Sequence, residues 1–396
     1  MSIRRDLEQT VRAHFAERPA ILLTGSRQAG KTWLLRDAFP EAKYLNLDLP
    51  SLAEEAETAG EQFLRKHPPP LVLDEVQYAP ALFRPLKHTI DADRETNARY
   101  LLTGSQKFAL MEAVSESLAG RVAIFELHSL SLREIEAWMG RPLDHDDLVH
   151  RLYTGGYPEL VAKSLPPSRY YADLVATYLE RDVRQAINVR SLRDFDRFLR
   201  LAALRTGQLL NLNALASEVG VSAPTLKAWL SVLEASNVVH LLPPYFGNLG
   251  KRLVKAPKLY FLDTGLACFL AGFESAAAVV NSSMLGALFE TQVLGQLVRY
   301  FHHAGRRANV YFIRDQHGSE VDFVVPVGEA MHVLECKWAE MPARPKAFDD
   351  VTRQVGEARV LSRTVITPMR GLRRRGDYDV GDPVDFPMLD VTCPRS

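Results

Sequence analysis

Eight residues near the N-terminus, Gly25-Ser26-Arg27-Gln28-Ala29-Gly30-Lys31-Thr32, leave the chain around them little freedom. They follow a short apolar run, Ala20 to Thr24, and precede Trp33-Leu34-Leu35, where a helical pattern begins. A short apolar run of this kind reads as a buried parallel strand. The spacing G-x-x-x-x-G-K-[ST] between a strand and a helix is that of a phosphate-cradling loop. Its glycines let the backbone turn tightly and aim amide hydrogens at phosphate oxygens. The helix N-terminus adds partial positive charge. In such a loop Lys31 reaches the β and γ phosphates and Thr32 ligates Mg²⁺. ATP and Mg²⁺ are therefore the expected cofactors, held by residues 25–33 with Trp33 at the helix start.

A second apolar run, Leu71-Val72-Leu73, ends in Asp74-Glu75. After a phosphate loop, Asp74 is expected to hold the magnesium, and Glu75 to orient and deprotonate the attacking water. Three further strands are expected at 43–48, 100–104 and 122–127, with helical stretches between them, giving a five-stranded parallel sheet. Gln106, just past the fourth run, could sit beside the γ-phosphate, or be an ordinary polar loop residue. Arg121, before the last run, could reach the nucleotide of a neighbouring subunit as an arginine finger, or be a surface arginine.

The stretches GSRQAGKT, LVLDEVQ, LLTGSQ, LAGRV and Gly155-Gly156-Tyr157-Pro158 together resemble the compact branch of AAA+ ATPases related to archaeal and signal-transducing NTPases. The resemblance implies an ATPase core over 1–155, a helical lid over 156–187 opening at the glycine-proline signature, and self-association. No lid arginine of the usual sensor kind is evident, a departure from that family's pattern.

Residues 212–230 read as helix, glycine, helix: an amphipathic stretch stops at Gly220, Ser222 can cap the next helix, and Pro224 fits its first turn. That is helix-turn-helix spacing, and runs at 238–242 and 258–262 suit the strands of a wing, so a winged helix is expected over 188–262. This window holds ten Lys or Arg against four Asp or Glu, a balance of +6. Lys251, Arg252, Lys255 and Lys258 would lie on the wing, where phosphate contacts are common. The second helix offers only Lys227, so contact with DNA and docking of a protein both stay open.

The C-terminal part, 263–396, carries a different pattern. Gly328-Glu329 suits a two-residue turn, which pairs residues whose numbers sum to 657. Asp322 then faces Glu335, and Glu320 faces Lys337, all on one face, with Val321, Phe323, Val325, Leu334 and Cys336 on the other. Facing acids weaken a sheet unless a cation lies between them; two acids with a lysine are the layout of metal-assisted phosphodiester cleavage, or the face is a solvent-facing sheet edge with a Glu320–Lys337 ion pair and an exposed Glu335. Residues 284–370 resemble the restriction-endonuclease-like PD-(D/E)xK fold. The resemblance implies that Asp322 and Glu335 bind metal, that Lys337 completes E-x-K, and that Glu290 is an acid given by the preceding helix. Val321 stands where the family name has proline. Chains resembling the first two parts often carry this domain, some of them without cleavage.

The fold class expected is thus α/β, with a parallel ATPase sheet, a helical lid, a winged helix and an α/β endonuclease-like end. The function expected is ATP hydrolysis on or with DNA. The alternatives are an ATP-gated nuclease and an ATP-dependent protein-docking switch. Lys plus Arg and Asp plus Glu both number 48, so no net field draws the whole chain to nucleic acid or lipid. Cys268, Cys336 and Cys393 form no metal-type spacing. There is no secretory leader pattern and no run of 18 apolar residues, so the cytoplasm, without membrane contact, is expected.

Overall fold

A computed structural model of the chain describes residues 3–104, 114, 117–179, 191–245, 255–314 and 318–389. Gln106, Arg190, Lys251 and Arg252 lie outside the described residues.

Five strands, β1 (Ala20–Gly25), β2 (Lys43–Asn46), β3 (Leu71–Asp74), β4 (Tyr100–Thr103) and β5 (Val122–Leu127), form one sheet in the order β2-β3-β4-β1-β5. All its pairings are parallel. The apolar runs are continuous because the sheet is covered twice. Ala20 and Leu22 pack in one layer with Leu71, Leu73 and Leu102, while Ile21 and Leu23 pack in the other with Val72 and Leu101. The parallel arrangement puts the ends of β1, β3 and β4 on one rim, so the 25–32 loop, Asp74 and Thr103 gather there.

In the middle of the chain, helices Leu192–Ala203, Leu212–Val219 and Ala223–Ala235 pack on a three-stranded antiparallel sheet of β6 (Gln208–Leu209), β7 (Val239–Leu242) and β8 (Lys258–Phe261), ordered β6-β8-β7. Gly220 ends its helix at φ +87°, and the Ser222 side chain accepts from the Thr225 N–H to start the next. Tyr157, Leu160 and Tyr171 share one apolar cluster with Phe195, Phe198 and Trp229, so the helices after Gly156 and the middle unit have a common core.

The C-terminal sheet is mixed. β9 (Tyr311–Arg314), β10 (Glu320–Val327), β11 (Ala330–Cys336), β12 (Val360–Ile366), β13 (Arg373–Arg375) and β14 (Tyr378–Gly381) lie in the order β13-β14-β12-β11-β10-β9. Helix Leu285–His303 covers one face and helix Ala347–Val355 the other. Backbone bonds between Phe312 and residues 243–245 join this sheet to the segment after β7.

The β10–β11 hairpin has the expected register, Phe323 opposite Leu334 and Val327 opposite Ala330, around Gly328 at φ +60°. Two finer expectations fail. Val321 belongs to the layer under Ala347–Val355, whereas Phe323 and Val325 belong to the layer under Leu285–His303. An irregularity in the β9–β10 pairing between Val321 and Val324 breaks the period of two. Glu320 also does not meet Lys337. The ladder ends at Phe323–Leu334, and beyond it the Asp322 carboxylate accepts from the Cys336 N–H at 2.8 Å while the Lys337 N–H donates to Ile366 O at 2.9 Å. Among the described residues no helix is long and apolar enough to cross a membrane.

Candidate functional site

The loop after β1 is shaped by positions that other residues would not fill. Gly25 has φ +136°, and a Cβ there would lie 2.0 Å from Leu127 O. Gly30 has φ +93° and Gln28 φ +58°, so the loop bends sharply at the start of helix Lys31–Ala38, and the Ala29 N–H donates to Ser26 O at 3.4 Å. Lys31 is buried, and its ammonium donates to Gly25 O at 3.1 Å and Ser26 O at 3.0 Å. A cavity of about 790 Å³ opens onto Arg27, Gln28, Lys31, Thr32, Trp33 and Glu75. Trp33 is 71% exposed beside it.

Asp74 is buried at the end of β3. Its carboxylate accepts from Thr32 Oγ1 at 2.9 Å, from Tyr44 OH at 2.5 Å, and from Thr103 Oγ1. The Glu75 backbone is left-handed at φ +56°, a conformation costly for a residue with a side chain and often kept at functional positions. Its N–H donates to Thr103 Oγ1 at 3.2 Å, and its carboxylate accepts from Gln77 Nε2 at 2.5 Å. The donor set fits magnesium: a hydroxyl and a buried carboxylate oxygen already 2.9 Å apart, beside the Gly25–Thr32 loop.

Arg121 lies on the opposite rim, at the start of β5, with its guanidinium on Asp91 at 2.6 and 2.8 Å. The structure does not bring it to the nucleotide loop of its own chain.

Several residues that sequence reasoning missed tie this loop to the rest. Buried Arg5 donates to Ala29 O at 2.6 Å, to His128 O at 2.8 Å and to Glu134 Oε1 at 3.0 Å. Burial pushes the Glu134 carboxyl up, but Arg5, His303 and the Ser131 N–H outweigh it and hold it at about 2. His303, at the end of helix Leu285–His303, sits 3.8 Å from Glu134. Tyr170 OH donates to Gln28 Oε1 at 2.6 Å. Asp263 accepts from Ser129 Oγ at 2.8 Å, Gly156 N–H at 3.0 Å and Tyr171 OH at 2.7 Å. Arg299 donates to Ser129 Oγ at 2.6 Å and Leu262 O at 2.9 Å. A Cβ on Gly155 would lie 2.1 Å from Asp263 Oδ1, which explains the first glycine of the 155–158 signature.

The C-terminal acids do converge. Glu290 from helix Leu285–His303 meets Glu320 and Asp322 of β10, with carboxylate oxygens within 4.8 Å of one another. Glu335 is buried 3.0 Å from Lys337, and among the described residues its Oε1 has no hydrogen-bond partner. Burial raises all three buried carboxyls despite neighbouring cations: Glu290 to about 7, Glu335 to about 8, and Asp322 upward. A cleft of about 670 Å³, lined by Glu320, Glu335, Lys337, Lys346 and Arg353, opens beside them.

Lys258 departs from expectation. It is not on a solvent-facing wing but 1% exposed in β8, with its ammonium 2.8 Å from Glu290 and in contact with Glu320. The period-two neighbour Tyr260 donates to the same Glu290. The remaining described cations of that window that are exposed are Arg193, Arg197, Arg200, Lys227 and Lys255. The Arg373-Arg374-Arg375 run is an edge strand, β13, with Arg374 on Asp379 at 3.2 Å.

Family models match three stretches: an AAA domain at residues 17–136, and domains of unknown function DUF8612 at 145–277 and DUF4143 at 285–379. The uncharacterized protein Rv2008c of Mycobacterium tuberculosis is 32% identical over 345 residues, 86% of this chain and 75% of its own length, and Mb2031c of Mycobacterium bovis matches to the same extent. The Walker-type ATPase of Pyrococcus abyssi aligns at 17% identity over 67% of this chain and 95% of its own, with a TM-score of 0.46. The ORC2 protein of Aeropyrum pernix aligns at 15% identity over 61% and 87%, with a TM-score of 0.33. Sheet, loop and relatives agree: the chain belongs to the family of these two mycobacterial proteins, and its N-terminal unit is an AAA ATPase domain.

Proposed function

We propose that this protein binds and hydrolyses ATP with magnesium and passes the state of that site to its C-terminal half. The observation that carries the reading is the meeting of Lys31, Thr32 and Glu75 on one cavity, with Asp74 bonded to Thr32 at 2.9 Å. The amides of 26–31 and the Lys31 ammonium would hold the phosphates, while Thr32 and Asp74 would hold the ion. Magnesium bound there neutralises phosphate charge. Lys31 exchanges its two loop carbonyls for phosphate oxygens. Glu75 positions a water and takes its proton.

The route outward starts at the same loop. Ala29 O and Gln28 are bonded to Arg5 and Tyr170, so a change in the loop is felt at Glu134, His303 and the helices after Gly156. With Asp91 as its partner, Arg121 acts only in trans, on the nucleotide of a second copy, after exchanging that carboxylate for phosphate. The middle unit, read as a winged helix, would offer exposed Arg193, Arg197, Lys227 and Lys255 to DNA phosphates.

Steady-state ATP turnover of the parent, Lys31→Ala and Glu75→Gln proteins tests the core of this reading. Both variants should lose turnover. A Lys31→Ala protein that hydrolyses ATP at the parental rate defeats it.

A further inference from the structure

The resemblance to metal-dependent nucleases calls for a divalent ion among Glu290, Asp322 and Glu335. The residues present do not fit that ion. We infer that the Lys258 ammonium takes its place at Glu290, so that the C-terminal acidic centre is a buried electrostatic joint to β8 rather than a metal site.

Lys258 reaches the centre from outside the C-terminal sheet. Its backbone is the middle of a three-stranded arrangement, paired with Leu209 of β6 and Leu242 of β7. The sheet therefore fixes the point from which the side chain reaches Glu290. Its ammonium lies 2.8 Å from Glu290, touches Glu320, and stands 5.5 Å over the Phe312 ring. Tyr260, two residues on, fills another lone pair of Glu290.

The Glu290 and Glu320 oxygens already have cations among the described residues, Lys258 on both and Arg314 on Glu320. A divalent ion placed on the same oxygens would lie within about 4 Å of an ammonium, a strongly repulsive distance in a buried setting. Lys258 bonds neither Asp322 nor Glu335; the cation on Glu335 is Lys337 at 3.0 Å, and among the described residues Glu335 Oε1 has no hydrogen-bond partner.

Mn²⁺ binding by nucleotide-free protein decides the matter, followed by calorimetry and electron paramagnetic resonance. The parent and Asp322→Asn proteins should take up the same amount of Mn²⁺. Lys258→Gln should gain one equivalent, and Lys258→Gln with Asp322→Asn should lose it again. Neither the parent nor Asp322→Asn should cut linear or circular DNA in Mn²⁺. A parental Mn²⁺ site abolished by Asp322→Asn overturns the inference, as does Asp322-dependent cleavage. A folded Lys258→Gln protein that gains no site overturns it too. Should Lys258→Gln not fold, the comparison of parent with Asp322→Asn still decides. ATP turnover is read in parallel, so failure of this inference stays distinct from failure of the ATPase reading.

Discussion

Thr32 Oγ1 donates to Asp74 Oδ2 across 2.9 Å, although 42 positions separate them in the chain. The contact exists because parallel β1 and β3 end on the same rim, and it pre-assembles a hydroxyl and a carboxylate for one ion. Replacing Asp74 with Asn keeps the shape and removes the charge. Turnover at saturating ATP should fall by roughly 10²-fold, the scale of one preorganised electrostatic contact. A titration of turnover against Mg²⁺ should show a weaker midpoint.

Glu75 is placed to act on water rather than on phosphate. Glu75→Gln should therefore bind ATP as the parent does and lose roughly 10²- to 10⁴-fold in turnover, the usual share of a general base. Equilibrium binding and single-turnover hydrolysis separate the two effects. Weakened binding with unchanged turnover would assign Glu75 another role.

Arg5 and Glu134 form a fully buried ion pair at 3.0 Å. Removing one partner strands the other charge in low dielectric, so Arg5→Ala should cost about 3–5 kcal/mol in urea unfolding. Arg5→Ala with Glu134→Gln should recover part of it. Because Arg5 also holds Ala29 O, the single variant should bind ATP more weakly, which an arginine serving stability alone would not do.

His303 makes the protein acid-sensitive. Burial first, then Arg5, Arg299 and His302, push its imidazole down to about 4 against the opposing Glu134 carboxylate. The unfolded chain, near the ordinary 6.5, then binds more protons than the folded one between those values. Stability is complete above pH 6.5 and declines as pH falls toward 4, by on the order of 3 kcal/mol. His303→Gln should flatten the denaturation midpoint across that window.

DNA binding, if carried by the exposed cations of the middle unit, should depend steeply on salt. Each phosphate contact contributes about −0.9 to the slope of log K against log salt. Lys255→Ala should lower that slope by about 1 at every DNA sequence tried. An affinity unaffected by salt would turn the surface over to protein docking.

Much of the first half was legible because its signals are local. The 25–32 loop, the acid pair at 74–75 and the apolar runs each sit within ten residues, and doubly covered strands need no partner to be recognised. The β10–β11 register was legible for the same reason, since Gly328-Glu329 sets it. What escaped depends on distant segments. The bulge that sends Val321 to the opposite face puts its extra residue in β10 against β9, beyond the part of β10 that pairs with β11. Lys258 looked like a wing cation because nothing in residues 251–258 says that β8 faces Glu290. Arg5, Asp263 and Arg299 carry no motif, and their partners are more than a hundred positions away in Glu134, Ser129 and Ser129.

The account turns on the loop from Gly25 to Thr32 gripping a triphosphate. Isothermal titration of folded protein with ATP and Mg²⁺, with Trp33 fluorescence followed in the same samples, tests this most directly. One equivalent should bind the parent with a change in Trp33 emission, and Lys31→Ala should bind at least tenfold more weakly. A folded parent that takes up no nucleoside triphosphate, or a Lys31→Ala protein that binds as well as the parent, contradicts the account.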